Sequence, residues 1–268
     1  MERVLLVGLE PHEAESLSAK LDTHVSAWTN LPPILVENGQ LFIPRQSGPG
    51  LLSVDKVVFH GVYENDFDFF CGLALWGGPC LPGPKAMLDS RLKLPCLVKA
   101  LEVSQFAAPR RGYLAPDMPL FSETEQVAKW GNWHCGENKA RVQGRFENPE
   151  ACVLEPFLPG RSVRIANIGE TSWQIELEGE DWKKSIHDDR AAIAPTPDPE
   201  LLADTLALKE AFGLPWIACD YIVSESSEKH LLEVNAMPNV SRFSELWDVF
   251  EQFVVDWVTN TGGMGTGS

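Results

Sequence analysis

The chain has 268 residues, 44% of them apolar and 22% charged, enough to bury a real core and too few charges for wholesale disorder. Asp plus Glu outnumber Lys plus Arg by 38 to 22, a formal net charge of −16. Such a chain repels polyphosphate backbones and anionic lipid, so neither nucleic acid nor a membrane is an expected partner. A small anion binds only where cations are gathered locally.

In chain order, residues 3–8 read as a short buried strand and residues 10–21 as a helix. Short apolar segments follow at 34–36, 41–43 and 57–60, and the alternation implies an α/β unit with a parallel sheet over residues 1–80. No G-x-G-x-x-G follows the first strand, so the dinucleotide fingerprint is absent. Residues 77–85 (GGPCLPGPK) read as a linker, and residues 85–106 as helical with an interruption at Pro95. Residues 112–118 read as a loop, and short strands are expected from about Ser122. At Asp198-Pro199 a cap and a first-turn proline open a helix with Leu201, Thr205, Leu208 and Phe212 on one face, and Gly213 ends it. A last helix is expected over about 241–259 with Leu246, Phe250, Phe253 and Trp257 on one face, before a flexible Gly/Ser-rich tail at 261–268. Six scattered cysteines without a C-x-x-C pair point to free thiols in a reducing, cytoplasmic setting.

Residues 220–235 (DYIVSESSEKHLLEVN) are two apolar strands around a polar turn, the pattern of a hairpin. A turn centred between Ser226 and Ser227 sets Asp220 opposite Glu233 and Ile222 opposite Leu231, with Asn235 on the face of Glu233. Two carboxylates and an amide oxygen form a hard-oxygen set suited to Mg²⁺, which takes a few carboxylates plus substrate phosphates. The plain alternative is a pair of strand-end acids in solvent. Ala236-Met237-Pro238 stops the strand just after the third ligand.

The run LLEVNAMPN, preceded by CDYIV, resembles the metal-binding end of the ATP-grasp superfamily, closest to its RimK-like, glutathione-synthetase-like and synapsin-like branches. The resemblance covers about 81–257 and implies an α+β fold: a two-lobed ATP-grasp domain over 81–260 behind a short α/β pre-ATP-grasp domain at 1–80. It implies that Asp220, Glu233 and Asn235 hold Mg²⁺ against the phosphates of ATP. It also implies two phosphate-binding lysines. Lys93 lies sixteen residues ahead of Pro109 at the family's spacing, with Lys99 as the fallback, and Lys129 ends the strand QVAK.

The run WGNWHCGENK after Ala128-Lys129 resembles the loop that covers the phosphates, with backbone N–H groups around Gly136 capping them; its tryptophans either join the core or stack on a substrate. VLEPFLPG resembles the interlobe hinge, which assigns Glu155, Pro156, Phe157 and Leu158 to adenine, while Ser162 stands where the family carries an acid near the ribose. Arg164 matches an arginine aimed at the transferring phosphoryl group. EDWKKSIH resembles the acceptor-lining segment, which makes Lys183, Lys184 and His187 candidates for an anionic acceptor, and Arg242 a further one for a substrate carboxylate. The implied activity is an ATP- and Mg²⁺-dependent carboxylate–amine (or thiol) ligase working through an acyl-phosphate, with small-molecule or peptide substrates and room for a homo-oligomer. The alternative is a synapsin-like ATP-binding regulatory or scaffold protein with little or no turnover.

Overall fold

The structure is a computed structural model that describes residues 2–131, 138–178, 182–183 and 190–260. In chain order the elements are β1 (Arg3–Val7), α1 (Pro11–Lys20), β2 (His24–Trp28), β3 (Leu35–Glu37), β4 (Gln40–Pro44), β5 (Leu51–Val54), β6 (Lys56–Phe59), α2 (Asp66–Trp76), β7 (Cys80–Leu81), α3 (Pro84–Arg91) and α4 (Lys93–Val103). Then come β8 (Gly112–Leu114), β9 (Leu120–Trp130), β10 (Lys139–Phe146), β11 (Cys152–Pro156), β12 (Arg161–Ile168), β13 (Thr171–Leu177), β14 (Ala192–Ile193), α5 (Pro199–Phe212), β15 (Trp216–Val223), β16 (Lys229–Asn235) and α6 (Ser244–Asn260). By compactness the chain falls into two units, Met1–Leu88 with Asn239–Ser268, and Asp89–Pro238.

The first unit carries a parallel sheet in the order β2-β1-β6-β7 and an antiparallel meander β3-β4-β5. Val4, Leu5, Leu6 and Val7 are all fully buried, which explains an unbroken apolar run where a half-exposed strand would alternate. Pairing of β7 with β6 corrects the linker reading of 77–85: the Gly/Pro context conceals a two-residue strand whose hydrogen bonds are non-local. Gly8, just after β1, has φ +89°, and a Cβ there would lie 2.5 Å from the His60 carbonyl oxygen. Only glycine fits so close an approach to the end of β6.

Helix α6 packs with this unit, and its buried positions are Leu246, Phe250, Val254 and Val258. The expected stripe through Phe253 and Trp257 is therefore corrected by a small rotation, which leaves those two aromatics half-buried. Glu251 provides the reason. It is buried, accepts from Ser16 Oγ at 2.5 Å and pairs with Lys20, so the polar anchor faces α1.

In the second unit, the helical segment breaks at Leu92, not at Pro95. Pro95 sits in the first turn of α4, where a missing N–H leaves no helical hydrogen bond unmade. Part of the expected 112–118 loop is strand β8, paired antiparallel with β11. Two sheets follow, ordered β10-β9-β11-β8 and β14-β13-β12-β15-β16. The first alternates cleanly. Leu114, Ala128, Val142, Cys152 and Leu154 form an apolar cluster, joined by Trp130, while Val127, Lys129, Lys139, Arg141 and Glu155 point to the other face.

Asp198 caps α5, accepting from the Glu200 and Leu201 amides, and Gly213 closes the helix at φ +65°. Lys229 on β16 adds an ion pair to Asp198 at 2.7 Å. Burial works to raise the Asp198 carboxyl, but the Lys229 and amide hydrogen bonds outweigh it and hold the group below its ordinary value. That charge-dependent contribution is complete above the unfolded carboxyl value of about 4 and is lost as pH falls through the lower folded one. Urea denaturation is expected to show wild type more stable than Asp198→Asn at pH 7, with the difference gone in acid, because asparagine keeps the cap but not the charge. Gly8→Ala is expected to lower unfolding stability by about 1–3 kcal/mol from backbone strain alone.

Candidate active site

In the five-stranded sheet, Arg164 on β12 lies directly opposite Asp220 on β15, which lies directly opposite Glu233 on β16. The hairpin reaches this pairing indirectly. Its turn spans five residues, with Ser227 at φ +67° and the Ser224 N–H donating to the Glu228 carbonyl, so that Val223 pairs with Lys229 and Tyr221 with Leu231. A bulge at Leu232 then restores the register, bringing Asp220 opposite Glu233. The expected Ile222–Leu231 pair is thus corrected: Leu231 shares the fully buried face of Tyr221, and the acidic face is free of it. Asn235 follows on the same face as Glu233, and its Nδ2 donates to Asp220 Oδ2 at 3.3 Å.

Arg164 holds Asp220 by two parallel bonds, Nε to Oδ1 at 2.6 Å and Nη2 to Oδ2 at 2.8 Å. Burial works against the guanidinium charge, yet Asp220 and Glu233 more than offset it and raise its pKa. Among the described residues no three His, Cys, Asp or Glu side chains cluster as a metal site. The candidate set is two carboxylates and an amide.

Opposing this row is the polar face of the four-stranded sheet, and between the two lies a cavity of about 560 Å³, within the usual range for a small-molecule site. Its walls include Lys129, Lys139, Arg141, the segment from Glu155 to Gly160, Trp182, Asp220 and Glu233. Glu155 is almost wholly buried, with Lys129 Nζ 2.5 Å from Oε1 and Arg111 Nε 3.3 Å from Oε2. Each of its carboxylate oxygens therefore pairs with one cation. The Phe157 N–H donates to the Glu125 carbonyl and Pro156 has none, which leaves the Leu158 N–H as the donor this segment can offer a ligand.

Lys93 is buried in a recess shared with Lys129 and Glu233. Burial is the main reason its pKa is lowered, with Lys129 and Lys139 adding to the effect and Glu233 opposing it. Lys99, the fallback, is not brought here: it pairs with Asp89 at 2.7 Å and lies over the Phe212 ring. Trp130 belongs to the apolar cluster. Arg242 belongs to the other compact unit, with its guanidinium 5.4 Å from the Phe243 ring. Gly136, Lys184 and His187 lie outside the described residues.

Sequence reasoning missed Arg111, whose guanidinium also donates to the carbonyls of Ala107, Pro109 and Leu231. Nothing local distinguishes it from Arg110 beside it, because its partners are up to 120 positions away. Trp182 was also unassigned. Its ring meets Phe157 edge-on at 6.4 Å and lies under the ammonium groups of Lys139 and Lys183.

The chain has the ATP-grasp fold. Solved structures superpose over nearly its whole length: a RiPP-associated ATP-grasp ligase of Chryseobacterium gregarium in complex with ADP and a leader and core peptide (TM-score 0.63, 13% identity, 97% of each chain). D-alanyl-alanine synthetase A of Vibrio cholerae gives TM-score 0.63 at 17% identity over 97% of this chain and 98% of that one. Among curated proteins, the D-alanine–D-alanine ligase of Natranaerobius thermophilus is 23% identical over 233 residues, covering 71% of this chain and 63% of the relative. D-alanine–D-alanine ligase B of Chromobacterium violaceum is 27% identical over 184 residues, covering 63% and 57%. The chain thus spans less than two thirds of the length of either curated relative. No family profile matches the sequence. Among the described residues, no helix is long and apolar enough to cross a membrane.

Removing the Glu155 carboxylate strands two buried cations. Glu155→Ala is expected to lower unfolding stability by about 3–5 kcal/mol in chemical denaturation, whereas Glu125→Ala, which breaks an exposed, solvent-screened pair with Arg141, is expected to leave it nearly unchanged.

Proposed function

We propose that the chain is an ATP- and Mg²⁺-dependent carboxylate–amine (or thiol) ligase. The observation that carries this reading is the Arg164–Asp220–Glu233 row, set across three adjacent strands, whose two carboxylate residues line one cavity together with Lys129 and Lys139 of the other sheet. The names of its relatives support it: D-alanine–D-alanine ligases by sequence, and peptide-bound ATP-grasp ligases by fold.

The donor set fits Mg²⁺. Asp220, Glu233 and Asn235 offer hard oxygens, and Asp220 Oδ1 keeps a lone pair beyond its bond to Arg164, while Oδ2 accepts from both Arg164 and Asn235. When bound, the ion neutralises charge developing on the transferring phosphoryl group. The Leu158 N–H reads the base. On the family resemblance Lys129, which lines the cavity, and Lys93, in the adjoining recess, hold phosphate oxygens, and Arg164 is aimed at the γ-phosphoryl group. A substrate carboxylate oxygen attacks the γ-phosphorus as its bond to the ADP oxygen breaks; an amine or thiol then attacks the acyl carbon and inorganic phosphate leaves. These side chains act by position and charge, as phosphoryl transfer requires. The substrates are a small-molecule or peptide carboxylate and an amine. Gly136 as a phosphate cap, and Lys184 and His187 as acceptor contacts, remain part of this reading on the family resemblance alone.

Incubation with Mg²⁺-ATP and a pool of amino acids, small acids and peptides is expected to release ADP in an acceptor-dependent way. ATP binding without acceptor-dependent ADP would instead favour the regulatory reading. Glu233→Gln is expected to weaken Mg²⁺-ATP binding by at least about tenfold in calorimetry; unchanged affinity would remove the metal assignment.

A further inference from the structure

The cations that line the cavity are not equivalent. Arg141 is clamped by Glu125 through two bonds of 2.7 and 2.6 Å, and its guanidinium stacks 4.0 Å from the Phe157 ring centroid. Lys129 is committed to Glu155 and to the Leu232 carbonyl. Lys139 differs. Among the described residues its ammonium has neither a carboxylate nor a carbonyl partner, and rests 5.7 Å from the centroid of Trp182.

The β9–β10 register makes this arrangement costly. Lys139 lies directly opposite Lys129, so both side chains leave the same face with Cβ atoms about 5 Å apart, a spacing at which like charges destabilise a strand pair. Lys139 is half-buried, and desolvation is the main cause that lowers its pKa, with Lys129 and Lys183 adding to it. The groups that oppose the shift are Glu233 and Asp220. Lys139 thus lines the same cavity as Lys129 and feels the charges of Asp220 and Glu233 across it. A desolvated ammonium on the cavity wall, facing a second lysine, is suited to receive an anion.

We propose that Lys139 is a third phosphate-binding lysine, which contacts the terminal phosphates of the nucleotide and bridges them to the Trp182 segment. The proposal rests on the nucleotide reading above and adds to it a residue that the sequence pattern contained only as the last letter of a loop. Its chemistry is that of a point charge, so any cation of similar reach serves in part and a neutral isostere does not.

Calorimetric titration of wild type, Lys139→Gln and Lys139→Arg with Mg²⁺-ATP, Mg²⁺-ADP and AMP tests it. Lys139→Gln is expected to bind Mg²⁺-ATP at least about tenfold more weakly than wild type, with Mg²⁺-ADP weakened and AMP unchanged, and Lys139→Arg is expected to recover part of the loss. Nucleotide-free Lys139→Gln is expected to melt no lower than wild type, since a facing like charge has gone. Equal Mg²⁺-ATP affinity in wild type and Lys139→Gln would overturn this inference alone. Loss of AMP binding to the same extent, or a lowered melting temperature, would overturn it in favour of a structural role. Wild type that binds no Mg²⁺-ATP would overturn the nucleotide reading and this inference with it.

Discussion

A single buried carboxylate holds the second unit together around its cavity. Glu155 gathers Arg111 and Lys129, and each of those cations continues to a carbonyl on β16, Leu231 for Arg111 and Leu232 for Lys129. The two sheets are therefore joined by charge-assisted bonds at the point where β16 bulges. Burying three charges is unfavourable unless each is satisfied, and here the bulge supplies carbonyls with capacity to spare. The same arrangement fixes the pocket geometry, because Lys129 emerges on the cavity face only two residues from Val127, which pairs with Glu155.

Around that anchor the charges are sorted by strand. Acids and Arg164 form a row on one sheet, and lysines line the other, although the chain as a whole is strongly acidic. This local gathering is what an anion-binding site in an acidic protein requires. Only a few of the 38 acids take part.

Much of this was legible where the determinant is local. The buried run at β1, the Asp198 and Gly213 caps and the opposition of Asp220 to Glu233 each follow from neighbouring residues. The hairpin shows the limit of such reasoning. Its expected turn was one residue out of phase, and the Leu232 bulge, which no local signal marks, compensated where it mattered. Short strands such as β7 and β8 were hidden because their stability comes from partners distant in sequence. Arg111 was invisible for the same reason. Glu155 was noticed for its place in a motif, but its pairing with Arg111 and Lys129 was not legible, because both lie distant in sequence.

The return of α6 to the first unit bears on how that unit is completed. Lys56 donates to the Val258 carbonyl at 2.6 Å, and the buried Glu251 needs Ser16 and Lys20. These contacts wait for α6, although Lys56 also pairs with Glu2 at 2.9 Å. The segment from Asp89 to Pro238, by contrast, contains both partners of the Arg164–Asp220 pair and the Arg111 and Lys129 partners of Glu155. The first unit is thus completed only by a helix that follows the whole of the second unit in sequence.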